Sequence, residues 1–344
     1  MKPCGDNEWP SMFENLPPTL LGTTIRPHCD AKEPLCDATT PLLESLPTLD
    51  SVFSPLKTIV SSPGIRIGIR AHDFGCHPAD GLAQRVASAG FDCVQLALGK
   101  AIQGVDPAVN GINAAEASAI ASAFARHGVG IEVLACYINP LHPDPQTRRT
   151  LLDLFKRHLR LAKSFGCSIV ALESGSLHGD YSHHPENHSE QAFQQLLPVM
   201  RELVDEAGRC GVRVGIEAVA SHVVSSPEKM RRLLDEVRSP DLTVVFDPVN
   251  LLDLSNASRH HEVLRRALEL FGKDIAVVHA KDFRVDGGRF ETCPAGTGKL
   301  DYQMFLPELA GRSPGIAVLL EEAGPVSSAF SRDFIFKSLS RTVS

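Results

Sequence analysis

From Gly64 onward the chain alternates two hydrophobic rhythms. Short runs rich in Val, Ile and Leu are separated by longer segments whose apolar positions recur at helical spacing. The short runs predict strands at 65–70 (IRIGIR), 92–98 (DCVQLAL), 129–135 (VGIEVLA), 168–173 (SIVALE), 212–217 (VRVGIE), 242–247 (LTVVFD), 275–280 (IAVVHA) and 316–321 (IAVLLE). The longer segments predict helices near 79–89, 112–127, 147–165, 189–210, 227–237, 259–271, 301–310 and 328–340. Gly90, Gly128, Gly166, Gly211 and Gly272 each follow a helical segment and read as C′ residues.

Strict alternation of strand and helix means parallel strands joined by crossover helices. Eight such units over about 280 residues suit a closed (β/α)8 TIM barrel. The rival, an open doubly wound sheet, usually carries G-x-G-x-x-G after its first strand, and IRIGIRAHDFG lacks it. The expected fold is therefore a single TIM barrel over 64–344. Residues 1–63 are rich in Pro, Thr and Ser and show no sustained periodicity. They read as a poorly ordered N-terminal extension with a short helix near 42–53. His28, Cys29 and Cys36 have no fourth ligand at sensible spacing and read as part of that solvated tail.

The strands end in an unusual way. Runs four to eight stop on or beside Glu173, Glu217, Asp247, His279 and Glu321. In a barrel these ends converge on one mouth, where active sites sit. One Glu or Asp after a strand is more often an N-cap or a solvated loop residue. Four on successive strands, with a His, are hard to obtain that way. Bunched carboxylates repel each other and lose hydration, and a divalent cation resolves both problems. Carboxylates with one imidazole form a mixed oxygen and nitrogen donor set that suits Mn²⁺, Mg²⁺, Co²⁺ or Zn²⁺. Strand pleating favours Glu321 over its neighbour Glu322.

Composition narrows the classes. Apolar content of 43% and charged content of 22% allow a sizeable core. A formal charge of -7 gives no basic field for nucleic acid or anionic membrane. No apolar run approaches the roughly 20 residues needed to span a bilayer. The first residues lack the apolar core of a secretory signal. The nine cysteines form no C-x-x-C pair; Cys93, Cys136, Cys167 and Cys210 read as small buried hydrophobes. A cytoplasmic location is expected.

GIEAV, FDPVN, VVHAKDFR, PAGTGKLDY and VLLEE, in that order and spacing, resemble the sugar phosphate isomerase/epimerase superfamily, the xylose isomerase-like barrels. The resemblance runs from about Ile65 to the C-terminus. It implies that Glu217, Asp247, His279 and Glu321 bind one divalent metal, Mn²⁺ before Mg²⁺, Co²⁺ or Zn²⁺. It also implies that Glu217 and Glu321 are the catalytic pair, exchanging the proton beside a substrate carbonyl through a metal-stabilised enediolate. The expected activity is that of a metal-dependent isomerase or epimerase of a sugar, keto-sugar or sugar phosphate. Two departures bear on the reaction. Many relatives carry Asp-x-x-His after strand six, whereas DPVN places Asn250 there. Glu173 has no place in the simplest ligand pattern and is a candidate for substrate or acid–base work.

Further substrate-binding candidates are His72, Gln95, Tyr137, His222, Lys281 and Arg284, with Asn139 beside Tyr137. Gln95 stands inside an apolar strand and must find a partner if buried. His222 either reaches the mouth or lies on the surface. Lys281 offers a cation to a phosphate or carboxylate, or pairs with Asp282. The resemblance places an Arg at the position of Arg284 near substrate. HGDYSHHPENH reads as a mobile, solvated lid after strand four. The Gly-rich PAGTGKLDY is a weak phosphate signal because it lacks the P-loop order.

The expected partner is a small carbohydrate, without nucleic acid or membrane; a homo-oligomer is left open. Rival readings are a lyase acting on 3-keto-glycosides, an apurinic-endonuclease-like phosphodiesterase and a barrel that binds without catalysis. The phosphodiesterase needs more strand-end histidines and a basic groove than this chain supplies.

Overall fold

A computed structural model of the chain describes residues 64–105 and 112–339. The expected extension and its short helix lie outside the described residues. The strands are β1 (Ile65–Arg70), β2 (Cys93–Leu96), β3 (Gly130–Ala135), β4 (Ile169–Glu173), β5 (Arg213–Glu217), β6 (Leu242–Phe246), β7 (Ile275–Ala280), a hairpin of β8 (Asp282–Asp286) and β9 (Arg289–Cys293), and β10 (Ile316–Leu320). All but the hairpin form a closed parallel barrel in which β10 lies between β7 and β1. The helices are α1 (Ala79–Ser88), the short α2 (Leu98–Ala101), α3 (Ala114–Arg126), α4 (Pro145–Leu161), α5 (Glu190–Cys210), α6 (Pro227–Val237), α7 (His260–Phe271), α8 (Leu306–Arg312) and α9 (Ser328–Leu339).

Local chemistry sets the helix ends. Asn113 and Glu116 form a reciprocal capping box on α3. Asp144 accepts from Thr147 N at 2.7 Å and Pro145 takes the first turn, which starts α4 earlier than its apolar rhythm suggests. Gly90, Gly128, Gly166 and Gly211 adopt the left-handed conformation expected of them, but Gly272 does not, with φ −54°. There a tight turn, Gly272–Asp274, carries the chain straight into β7. The helix expected near 301–310 divides into a turn, Tyr302–Met304, and α8. The β8–β9 hairpin was not among the expected strands; its Gly287–Gly288 turn is the signal for it.

The barrel interior explains why polar residues gather at one end. Cys93, Val133, Ile169, Ala171, Val245, Val277, Ala317 and Leu319 pack into one buried cluster. Gly68 and Gly215 share this layer because a side chain would not fit. A Cβ on Gly68 would lie 2.4 Å from Cys93 O and 2.7 Å from Leu319 Cδ2, and one on Gly215 2.9 Å from Ile169 and Val245 methyls. Side chains alternate along a strand, so the residue two positions onward returns to the same face. From these core positions that step reaches Arg70, Gln95, Glu173, Glu217, Asp247, His279 and Glu321. The polar mouth is thus the next layer above the apolar core.

Candidate active site

Glu173 and Glu217 are the last residues of β4 and β5, and they face each other across the strand pair. Asp247 and Glu321 stand one residue beyond β6 and β10. His279 lies inside β7, one residue before its end, rather than closing the strand. Glu217, Asp247 and His279 are buried, and each offers a donor atom within 4.8 Å of the others. Glu321 stands at the edge of this group, its Oε1 3.5 Å from His279 Nδ1; Glu217 Oε2 is 3.3 Å from the same nitrogen.

The orientation of His279 follows from one hydrogen bond. Its Nε2 lies 2.6 Å from Gln95 Oε1, which only accepts, so Nε2 carries a proton and Nδ1 points at the carboxylates. His279 Nδ1 and Asp247 Oδ2 are buried without a hydrogen-bond partner. An imidazole nitrogen without a hydrogen-bond partner and a carboxylate oxygen whose one close partner is the Lys281 ammonium, beside two glutamates, fit a divalent ion of borderline to hard character. Gln95 therefore has its required partner, and that partner is the candidate metal ligand.

Each glutamate is held by its own set of groups. Tyr137 OH donates to Glu217 Oε2 at 3.0 Å, and Asn250 Nδ2 donates to Glu217 Oε1. Lys281 Nζ lies 3.1 Å from Glu321 Oε2 and 2.8 Å from Asp247 Oδ2. Lys281 thus pairs with these two groups and not with Asp282. Burial opposes the charge of Glu321, but Lys281, His279 and Arg70 outweigh it and hold this carboxyl well below its usual range. Burial likewise opposes the Lys281 charge, and Asp247 and Glu321 outweigh it.

Two further imidazoles stand near the strand ends. His222 Nδ1 lies 3.3 Å from Glu173 Oε2, and the His222 ring meets Tyr181 edge-on with centroids 4.7 Å apart. Burial, then the charge of Glu217, pushes Glu173 up to about 8. His72 follows β1, where burial and the charges of Arg70 and Lys100 push it down to about 3.

Several other candidates lie outside the buried cluster. Arg284 is exposed on the hairpin and donates to Thr297 O at 2.8 Å; none of its contacts joins the buried cluster. Asn139 does not line the mouth, since its amide ties the loop after β3 to Ser176 and His178. The His-rich tract is anchored: buried Asn187 binds Leu177 N, Ser176 Oγ and Ser221 O. The Gly-rich loop already holds an anion of its own. Asp282 accepts from the N–H groups of Gly296 at 3.1 Å, Gly298 at 2.9 Å and Leu300 at 2.8 Å, which leaves no cradle for phosphate. Cys210 is half-buried rather than buried, and the six cysteines among the described residues are all free.

Arg70 was missed by sequence reasoning. It ends β1, with Nε 2.7 Å from Asp73 Oδ1, Nη2 3.4 Å from Glu322 Oε1 and Nη1 3.8 Å from Glu321 Oε2. The signal was available: Arg70 stands two residues beyond Gly68, as each glutamate stands two beyond a core residue.

A parallel eight-stranded barrel with buried carboxylates and an imidazole at the C-terminal strand ends is the architecture of a barrel enzyme family. A family model described as "Xylose isomerase-like TIM barrel" matches residues 83–334. The chain belongs to this family, within the sugar isomerase/epimerase superfamily. It is 24% identical over 225 residues to "Putative L-ribulose-5-phosphate 3-epimerase SgbU" of Escherichia coli (strain K12), covering 62% of this chain and 73% of that one. Among solved structures it is similar to a xylose isomerase-like TIM barrel protein from Mycobacterium smegmatis in complex with magnesium. The TM-score is 0.59 at 18% identity, over 81% of this chain and 97% of that one. A D-tagatose 3-epimerase-like protein gives a TM-score of 0.63 at 15% identity, over 80% and 97%. Among the described residues no helix is long and apolar enough to cross a membrane.

Proposed function

We propose that this chain is a divalent-metal-dependent sugar isomerase or epimerase. The observation that carries the reading is the pair Glu217 and Glu321, both within 3.5 Å of His279 Nδ1, with Asp247 grouped beside Glu217 and His279. Glu217, Asp247 and His279, with Glu321 completing the set, would hold the ion. A bound divalent ion, Mn²⁺ before Mg²⁺, Co²⁺ or Zn²⁺, polarises a substrate carbonyl and steadies its developing negative charge. The magnesium in the Mycobacterium smegmatis relative and the sugar-epimerase names of the others support both halves of the reading.

The side chains then divide the proton work. Tyr137 and Asn250 fix both oxygens of Glu217, so its carboxylate enters the reaction at a set angle. Lys281 and Arg70 orient Glu321. One carboxylate removes the proton beside the carbonyl, and the other returns it from the opposite face or to the neighbouring carbon. Asn250 fills the place that a His takes in many relatives. An amide orients and does not titrate, so proton traffic stays on the glutamates. Burial of the cluster excludes water and strengthens each of these contacts.

The test is exchange of substrate C–H for deuterium in D₂O, across a panel of ketoses and ketose phosphates with added Mn²⁺. Wild type exchanges one carbon-bound proton; Glu217→Gln loses exchange while melting like wild type. Full exchange by Glu217→Gln rejects the mechanism.

A second reading, elimination from a 3-keto-glycoside, draws on Glu173. Burial and then the charge of Glu217 raise this carboxyl, which favours its protonated form as a donor to a leaving group, a step epimerisation does not use. Release of aglycone from a 3-keto-glycoside, with no epimer formed from ketoses, selects it over the first.

A further inference from the structure

Lys281 carries a charge in a place where a charge is costly. Its side chain is 8% exposed, and its backbone is pinned because Tyr302 OH donates to Lys281 O at 2.8 Å. A buried ammonium persists only beside counter-charges. The two it has are Asp247 and Glu321. Both belong to the proposed metal set, so Lys281 spends its charge on the groups that an ion would use.

The two contacts differ. The approach to Glu321 Oε2 is an aligned hydrogen bond at 3.1 Å. The approach to Asp247 Oδ2 is shorter, 2.8 Å, yet that oxygen has no aligned hydrogen-bond donor. That contact is an ion pair with the ammonium, outside hydrogen-bond alignment. Glu321 also has a second cation in Arg70 at 3.8 Å. Asp247 pairs with no other cation among the described residues. An arriving divalent ion would therefore displace the ammonium at Asp247 most readily.

We propose that Lys281 is a tethered competitor for the metal seat: loading exchanges its ammonium at Asp247 Oδ2 for the divalent ion, while its bond to Glu321 persists and positions that carboxylate. This rests on the metal-site reading above. A unit positive charge beside two ligands weakens metal binding, so the residue sets the affinity of the site as well as its resting charge. Two positions after His279 on the same strand face, it is placed to do so by the pleat alone.

The experiment uses the full chain, stripped of metal and titrated with MnCl₂ by calorimetry, as wild type, Lys281→Met and Lys281→Arg. Lys281→Met binds Mn²⁺ at least about tenfold more tightly than wild type, while Lys281→Arg, which keeps the charge, stays within a few-fold of it. Equal or weaker binding by Lys281→Met, with wild type binding normally, overturns the competitor role and leaves the metal site standing. Equal tightening in both variants overturns the charge argument. No binding by any of the three overturns the metal reading and the inference with it. A measurement on wild type stands apart from the folding of the variants. Reductive methylation of Lys281, followed by mass spectrometry, increases when Mn²⁺ is bound; unchanged or reduced labelling refutes the exchange.

Discussion

Replacing Gln95 by Leu isolates the group that orients the candidate metal ligand. Leu is close to Gln in size and fits the apolar strand, so the change removes an acceptor rather than a volume. The lost contact is the 2.6 Å hydrogen bond from His279 Nε2 to Gln95 Oε1. Both residues are buried, at 1% and 0% exposure, so water cannot replace the acceptor. Two costs follow. An unpaired buried N–H costs about 1–3 kcal/mol of stability. The imidazole also loses the partner that fixes its tautomer, and loss of such an outer partner lowers metal affinity about 10–100-fold. Urea unfolding reads the first cost and calorimetric titration with MnCl₂ reads the second. A variant that unfolds like wild type and binds Mn²⁺ as tightly refutes both parts. A variant that is destabilised but binds unchanged refutes the tautomer argument and leaves Gln95 a packing residue.

Two further expectations concern stability. Burial pushes His222 down to about 4, against about 6.5 in the unfolded chain. Below pH 6.5 the unfolded state therefore takes up a proton that the folded state refuses until about pH 4. This costs the fold roughly 2 kcal/mol between pH 7 and pH 5. Urea unfolding of wild type and His222→Gln at the two pH values checks this; an equal loss in both proteins refutes it. Gly68→Ala places a Cβ 2.4 Å from Cys93 O and 2.7 Å from Leu319 Cδ2, an overpacking of about 1–3 kcal/mol. A thermal melt lowered by several degrees is expected, and a wild-type melt would show that the barrel yields there.

Local periodicity made most of the fold legible. The runs IRIGIR and IAVVHA match β1 and β7 residue for residue, because β-branched residues repeat where the chain is buried. Helix boundaries moved where caps decide them, as at Asp144 and Pro145. The hairpin after β7 has only a weak local signature, because Gly287–Gly288 sits in a polar stretch whose alternation is short. The strand-end carboxylates were legible for the same reason as the strands. A period of two carries each core residue to a polar one in the next layer, and that step leads from Leu319 to Glu321. Glu322 lies outside the strand period, at φ 55°.

What the sequence by itself determined was therefore one-dimensional: where each strand and helix lies, and which residue each strand presents at its C-terminal end. Which of those residues meet was decided only by closure of the barrel. Gln95 and His279 stand 184 positions apart, and Glu217 and Tyr137 stand 80 apart. No local pattern encodes either pair. The same holds for Lys281, whose nearest carboxylate in sequence is Asp282. The tertiary structure gives Asp282 to the Gly-rich loop and Lys281 to Asp247 and Glu321. Hydrogen bonds and ion pairs act over about 3 Å in space and are indifferent to separation along the chain, so their partners are assigned by packing.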